Sequence, residues 1–415
     1  MLLSVNAEQL FATALGLSSP WIVKDSKLIE GELHLHIDFA VGARFDGKPV
    51  HDTVQRSWRH LNFWQYPTYL HARVPRVIGE DGSIGQVEVP WARPGSGFTA
   101  MFEALALLMM RDMTMSKVAQ TLGVDDMRLW RLAERAVESA RESADFSEVT
   151  RVGVDETSCK KRHDYISLFV DLDSKRVLFA CKGRAATTLG EFKKDLVKHG
   201  GNPKSIKSFS CDMSPAFLSG IKQHFPKAEI VLDKFHLVKM LSEAVDETRR
   251  SETKHMRMPR GTRFLWLKNP DRLSDFQKQT LTDLQGQAVF TKTAEAYRLR
   301  LAFQELFHQP QSKADYYFAT WLDAALDSGV GAIEEVAQTF FQKRDLILNW
   351  FKHRINNGIL EGLNSVLQSA KNRARGYGNP QHMILMSYLL HGKLNLNPRH
   401  IKRKKRKPKL EALPT

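Results

Sequence analysis

A chain of 415 residues, 42% hydrophobic and 26% charged, has room for several cored domains and the composition of an ordinary soluble protein. No apolar run reaches the roughly 18 residues of a membrane span, the start lacks a secretory pattern, and Cys159, Cys181 and Cys211 form no CxxC pair, which sets aside a membrane partner and a disulfide framework and makes a reducing cytoplasm the expected compartment. The net charge of +15 favours a polyanionic partner, most commonly nucleic acid.

Residues 1–95 combine strand-like runs such as "ELHLHIDFAV" (32–41) with turn signals at 46–49 and 79–83, which predicts a small β-rich module. Basic and aromatic residues interleave at 56–77, so Arg56, Arg59, Arg73 and Arg76 are candidate DNA contacts. "PWARPGSG" (90–97) reads as a linker. Within 96–146, Val118, Ala119 and Leu122 share an apolar face, Gly123 supplies a turn, and Asp125 or Asp126 can cap a second helix through Leu129 and Leu132. This is a helix-turn-helix pattern, and it makes Arg128 and Arg131 candidate phosphate or base contacts.

From 147 the periodicity changes. Three strand-like runs at 150–158, 165–173 and 175–183 predict an antiparallel meander. A helical segment (188–200), a strand (206–212), a short helix (214–224) and a fifth strand (228–233) follow. The order βββαβαβ predicts a mixed α/β sheet over 147–236. Residues 237–350 read as an all-helical insertion packed by Trp266, Trp321 and Trp350, and 351–395 as final helices. The end of the chain, 396–415, is a basic tail with eight Lys/Arg and no acid across 399–409, which leaves a surplus of seven positive charges in the body.

Three acids stand out by position: Asp155 at the end of the first strand, Asp212 at the end of the fourth, and Glu361 on a late helix. The carboxyl ends of strands in α/β sheets are where sites form. Carboxylates converging there repel unless a divalent cation lies between them, and oxygen ligands suit Mg²⁺ or Mn²⁺. An Asp at a strand end also serves as a plain turn or cap residue, and Glu156, Asp171, Asp173 and Asp233 are nearby acids that spacing does not separate from the chosen three. On the late helix Leu360, Leu363, Leu367 and Ala370 form a core face, while Glu361 shares another with Asn364, Gln368 and Asn372. Asn356 or Asn357 can cap it, Gly358 and Gly362 leave room for close approach, and Lys371, Arg373 and Arg375 suit a DNA backbone.

The segments "WRHL" (58–61), "PRV" (75–77), "VPWA" (89–92), "VGVDE" (152–156), "CDMSPAF" (211–217), "VLDKFH" (231–236), "AVDETRRSE" (244–252) and "NGILEGLN" (357–364) together resemble the ISL3 family of bacterial insertion-sequence transposases. That family lies within the DDE transposases of RNase H-like fold. The resemblance implies Asp155, Asp212 and Glu361 as catalytic, metal-binding acids, and Asp233 and His236 as a supporting DxxH motif. It also implies a helical insertion before the last acid, which matches 57 residues between the first two acids and 149 before the third. The implied activity is metal-dependent DNA cleavage and strand transfer on terminal inverted repeats and target DNA, by a homodimer or larger synaptic assembly associated with the nucleoid. Other readings of the same chain are a non-catalytic DNA-binding regulator and a structure-specific nuclease. The family carries an N-terminal CxxC-type zinc module. Here the matching places, "ARFDG" (43–47) and "IGEDG" (78–82), lack cysteine, and His34, His36, His51, His60 and His71 lack metal-ligand spacing, so no structural zinc is expected.

Overall fold

The computed structural model describes residues 6–159, 165–183, 185–254, 262–355 and 358–396. The caps expected at Asn356 and Asn357 and the basic run at 399–409 lie outside the described residues. The chain divides into two compact units, Met1–Ala140 with Asn395–Thr415, and Arg141–Leu394.

The first unit begins with α1 (Ala7–Ala14) and is built on a five-stranded sheet. Its strands are β1 (Trp21–Ile29), β2 (Glu32–Phe39), β5 (Asp52–Phe63), β6 (Tyr66–Ile78) and the short β7 (Ile84–Gln86), with a separate small ribbon of β3 (Arg44–Phe45) and β4 (Lys48–Pro49). Alternation along β2 buries Leu33, Leu35 and Ile37 and turns His34 and His36 to the other face. The core includes Trp21, Trp58, Leu70 and Val74, and it also takes in Trp91, whose ring lies 4.9 Å from Trp21 and 5.5 Å from Trp58. Residues 90–97 are therefore packed rather than a linker: Trp91, Ala92 and Ser96 are buried.

Three helices follow, α2 (Ala100–Asp112), α3 (Met115–Leu122) and α4 (Asp126–Glu142). Gly123 ends α3 in the left-handed region at φ +64°, where a side chain would be strained. Asp125 caps α4 by accepting from the Arg128 amide at 3.2 Å. Val118, Ala119, Leu129 and Leu132 are buried as their spacing requires, so the sequence pattern of two helices about a glycine turn is present.

The second unit is a mixed α/β layer structure. Its sheet runs in the order β10-β9-β8-β11-β12, from β8 (Arg151–Ser158), β9 (Tyr165–Asp171), β10 (Arg176–Lys182), β11 (Ser208–Cys211) and β12 (Glu229–Leu232). The first three strands form the antiparallel meander, and β11 joins β8 and β12 in parallel. Two connecting helices, α5 (Thr187–Lys198) and α6 (Pro215–His224), supply the crossovers that parallel pairing demands. Phe192 of α5 stacks on Phe169 at 4.5 Å, and Phe209 lies 4.8 Å from Phe225, so aromatic rings fill this face. Both faces are covered, which is why β9 is buried through Ile166–Asp171.

The described part of 237–350 holds helices and no strand. They are the remainder of α7 (Lys234–Glu252), then α8 (Thr262–Leu267), α9 (Asp275–Gln285), α10 (Thr291–Leu306), α11 (Gln311–Leu326), α12 (Gly331–Gln342) and α13 (Arg344–His353). Trp266 and Trp321 are buried there, and Trp350 packs partly exposed against the same core. Finally α14 (Gly358–Arg373) lies on β8 and α15 (Pro380–His391) on β10.

Candidate active site

Strand register brings three aspartates level. On β8 and β11 the pairs run Ser208–Arg151, Phe209–Val152 and Ser210–Gly153. Two steps further along, Asp155 stands opposite Asp212. On β11 and β12 the last pair is Cys211–Leu232, so the next step sets Asp212 opposite Asp233, and the Asp233 amide donates to the Cys211 carbonyl at 2.9 Å. Asp155 lies within β8, which runs on to Ser158, whereas Asp212 and Asp233 directly follow the last residues of β11 and β12. By alternation they share the face of Gly153 and Ser210. That face carries α14: a Cβ on Gly153 would stand 2.9 Å from Leu360 of α14. Gly153 is thus the residue that admits the helix, whereas the expected close approach at Gly362 meets open space.

Each acid is oriented by local donors. The Glu156 amide donates to Asp155 Oδ1 at 2.8 Å, and Asn364 Nδ2 donates to Asp155 Oδ2 at 2.6 Å. The Ser214 amide donates to Asp212 Oδ1 at 2.9 Å. Asp233 caps α7 through the Phe235 amide at 2.9 Å, and its second oxygen bonds His236 Nδ1 at 2.8 Å. The spacing i, i+3 at a helix start puts both side chains on one side of the first turn. Burial pushes the Asp155 carboxyl up to about 6; the Glu156 amide and His236 oppose the shift, and the Asp212 and Asp233 carboxylates add to it. Glu361 is raised as well, first by desolvation and then by Asp233. His236 is raised by its bond to Asp233 and by the Asp155 and Asp212 charges. Asp155, Asp212, Asp233 and His236 therefore form one electrostatic cluster. Glu361 stands at its margin, exposed and coupled to Asp233 and His236.

Of the competing acids, Asp233 joins the cluster, while Asp171 and Asp173 lie away from it. Asp171 accepts from Ser174 and the Asp173 amide, and Asp173 pairs with Arg151, all at the opposite end of the sheet. The stripe expected beside Glu361 is used. Besides Asn364, Gln368 Nε2 donates to Thr157 Oγ1 at 2.5 Å and Lys371 Nζ donates to the Ser158 carbonyl at 2.7 Å, which staples α14 to β8. Sequence reading placed Asn364 on the right face but missed its bond to Asp155; its i+3 spacing from Glu361 was the available signal. Arg373 and Arg375 are exposed near the end of α14.

The arginines expected to touch DNA fare differently. Arg131 is exposed. Arg128 is exposed too, but its guanidinium lies 4.4 Å from the Phe98 ring centroid. Arg56 is partly buried over Trp58. Arg73 and Arg76 pair with Asp38 and Asp52. Arg59 is corrected outright: it is 4% exposed, donates to the carbonyls of His60 and Thr68 and to Asn62, and sits against Phe102. Its charge organises the interior and cannot reach a phosphate.

Comparison with known proteins follows this geometry. A family model described as a transposase of ISL3 type matches residues 152–387, more than half of the chain. The chain belongs to the ISL3 family of transposases. Residues 87–151 match the helix-turn-helix domain of that family, and 46–78 match the zinc-finger of transposases IS204/IS1001/IS1096/IS1165. The transposase for insertion sequence element IS1001 of Bordetella parapertussis is 27% identical over 350 residues, covering 81% of this chain and 85% of that protein. The transposase for insertion sequence element IS1557 of Mycobacterium tuberculosis (strain ATCC 25618 / H37Rv) is 25% identical over 369 residues, covering 80% and 81%. This chain is thus an insertion-sequence transposase with a helix-turn-helix DNA-binding domain, and no helix among its described residues is long and apolar enough to cross a membrane.

The zinc-finger match overturns the expectation of no structural zinc, because it indicates a zinc-binding ribbon at 46–78. The donors available there are not thiolates, since the segment has no cysteine. His60 bonds Thr99, and Asp52 holds Arg76. On the outer sheet face His34 and His36 stack on His71, and His34 Nδ1 lies 2.9 Å from His71 Nε2. Among the described residues no three His, Cys, Asp or Glu side chains are disposed to hold a metal ion as they stand. The residues of this segment therefore do not fit a thiolate ribbon site, and none is assigned as a zinc ligand.

Proposed function

We propose that this transposase binds the terminal inverted repeats of its element, cuts DNA at the element's end and joins that end to target DNA, using a divalent-cation site on an RNase H-like sheet of DDE type. The observation that carries the reading is the level placement of Asp155 and Asp212 on adjacent parallel strands, beneath a helix that bears Glu361. Among the described residues no Lys or Arg pairs with Asp155, and His236 is the one basic side chain acting on it there, so the carboxylates gathered at this place outnumber the positive charge. The three acids do not enclose a cation as they stand; Asp155, Asp212 and Glu361 would have to draw together on Mg²⁺ or Mn²⁺, whose hard-cation chemistry suits oxygen donors. When bound, such a cation activates an attacking oxygen and stabilises a leaving one in phosphodiester chemistry.

The protein's own part is orientation. Asn364 and the Glu156 amide fix both oxygens of Asp155. Asp233 fixes His236 through Nδ1, leaving Nε2 to bond DNA or water. Arg373 and Arg375 grip the backbone near the reacting strand, Lys371 holds α14 to β8 behind them, and Arg131 on the second helix of the helix-turn-helix meets the repeat. No Ser or Tyr nucleophile is invoked. Two element ends must be held at once, so the working form is a homodimer or larger assembly.

Incubating the purified chain with a labelled inverted-repeat duplex and Mg²⁺ should nick the element's end. Asp155→Ala, Asp212→Ala and Glu361→Ala should each abolish the product. Wild-type cleavage by all three variants would exclude this site.

A further inference from the structure

Beside the acids lies a pocket of about 700 Å³, within the range of small-ligand sites. Asp233 and Glu361 stand on its rim, so the pocket opens directly off the acidic cluster. Its other walls come from the start of α7, the turn at Asn269–Arg272 and the end of α10. Phe235 is the notable wall residue. It follows Asp233 by two residues and is 51% exposed, although most large aromatic rings of this unit are buried. Its amide serves the Asp233 cap, but its ring adds little to the core. Lys234 and Arg272 bring positive charge, Asp271 and Glu305 on the same walls offset it, and Gln304 brings an amide able to meet a base edge.

The geometry points to a site for one unpaired nucleotide at the end of the element, with its base against the Phe235 ring and its phosphate toward the acids. This assignment rests on the proposed DNA-end chemistry and adds where the terminal nucleotide goes. A volume of about 700 Å³ is on the scale of one nucleotide rather than of a stretch of paired duplex. An occupant touching Glu361 and Asp233 must be continuous with the phosphodiester being cut. An aromatic face accepts any base, and unstacking costs least at a duplex end, where a base has a single stacking neighbour.

The test uses the full chain carrying Asp155→Asn, which blocks chemistry, and an inverted-repeat duplex with 2-aminopurine at its terminal position. Binding should raise the fluorescence several-fold as the base leaves the stack. Adding Phe235→Ala should abolish that rise and weaken end binding about tenfold. Phe235→Tyr should keep it, and so should Phe276→Ala, which removes an exposed ring elsewhere in the insertion. Bound DNA with no rise, or a rise indifferent to Phe235→Ala, overturns the pocket assignment. The functional reading has its own readout. If the otherwise unaltered chain cuts the end with or without Phe235, that reading stands and only the pocket falls. If the chain never cuts, yet the fluorescence depends on Phe235, the pocket stands alone. Absence of any end binding overturns both.

Discussion

Asp246 and Asp155 lie in the same unit, and the protein treats them in opposite ways. Asp246, in the middle of α7, is 8% exposed and meets three guanidinium groups: Arg249 at 2.8 Å, Arg263 at 3.1 Å and Arg250 at 3.5 Å. Among the described residues Asp155 receives amide donors from Glu156 and Asn364 and has two carboxylates and a single histidine for charged neighbours. A buried acid whose charge is balanced within the chain holds elements together. An acid left unbalanced beside two more is costly to the fold and makes sense only if something outside the chain supplies the positive charge. The family alone does not make this distinction; the counter-charges do.

Removing each acid is the most direct way to break that contrast. Asp155→Ala should lower end cleavage by on the order of a thousandfold or more, the scale seen when an essential catalytic group is lost. The melting temperature should hold or rise, because a repelling charge has gone. Asp246→Ala should do the reverse. Three arginines lose their partner, and the cost should be about 3 kcal/mol, toward the low end for a broken buried pair because Arg250 and Arg263 are largely solvent-exposed. Cleavage per folded molecule should stay close to wild type. Thermal melts and cleavage assays on both variants decide the matter, and a Asp155→Ala variant that melts early while cutting normally would invert the assignment.

A third buried ionisable group, in the other unit, shows another solution, which is to carry no charge at all. His60 bonds Thr99 at 2.8 Å, and its pKa falls to about 4 through burial and the neighbouring Arg59 charge. The folded value lies below the ordinary 6.5, so between those pH values the unfolded chain takes up the proton first. Stability is complete above pH 6.5 and falls as pH drops through 4, by about 3 kcal/mol in all. Denaturant titrations from pH 7 to 4 should show this loss in the first unit, and His60→Gln should flatten it.

How much of this was readable in advance depends on the range of the interaction. The run "VGVDE" announces a strand by alternation, but Asp155, expected at its end, lies inside a strand that continues to Ser158. The two-helix pattern about Gly123 is equally local. The alignment of Asp233 with Asp155 and Asp212 is not local, because it follows from the pairing register of strands up to 57 residues apart in sequence. Arg59 misleads for a similar reason. Alternation sets it on the outward face of β5, and only the packing of Phe102 from α2 reveals that this stretch of the face is covered. Residues 90–97 look like a linker by their Pro and Gly content, yet Trp91 finds Trp21 seventy residues away. The zinc-finger match at 46–78 was missed because that segment has no cysteine and its histidines lack ligand spacing, so nothing local to it signalled the ribbon.

Asn364 sharpens the contrast further, since it is a polar residue that the fold leaves incompletely satisfied. Its Nδ2 holds Asp155, while its Oδ1 is buried with no hydrogen-bond partner among the described residues. An orphaned carbonyl of this kind costs about 1–3 kcal/mol. A residue placed only for stability would not carry that cost at the centre of an acidic cluster. Asn364→Ala should therefore leave the melting temperature unchanged or slightly raised, because the orphan leaves with the donor. Cleavage should fall about tenfold, the scale of losing a group that orients a metal-binding carboxylate, and the Mg²⁺ concentration for half-maximal rate should rise. The comparison with Gln368→Ala isolates the cause. Gln368 helps staple the same helix to the same strand through Thr157 and Ser158 and touches no acid. If both variants lose cleavage and stability in parallel, Asn364 is merely part of the staple. If only Asn364→Ala shifts the Mg²⁺ requirement, its amide is there to aim Asp155.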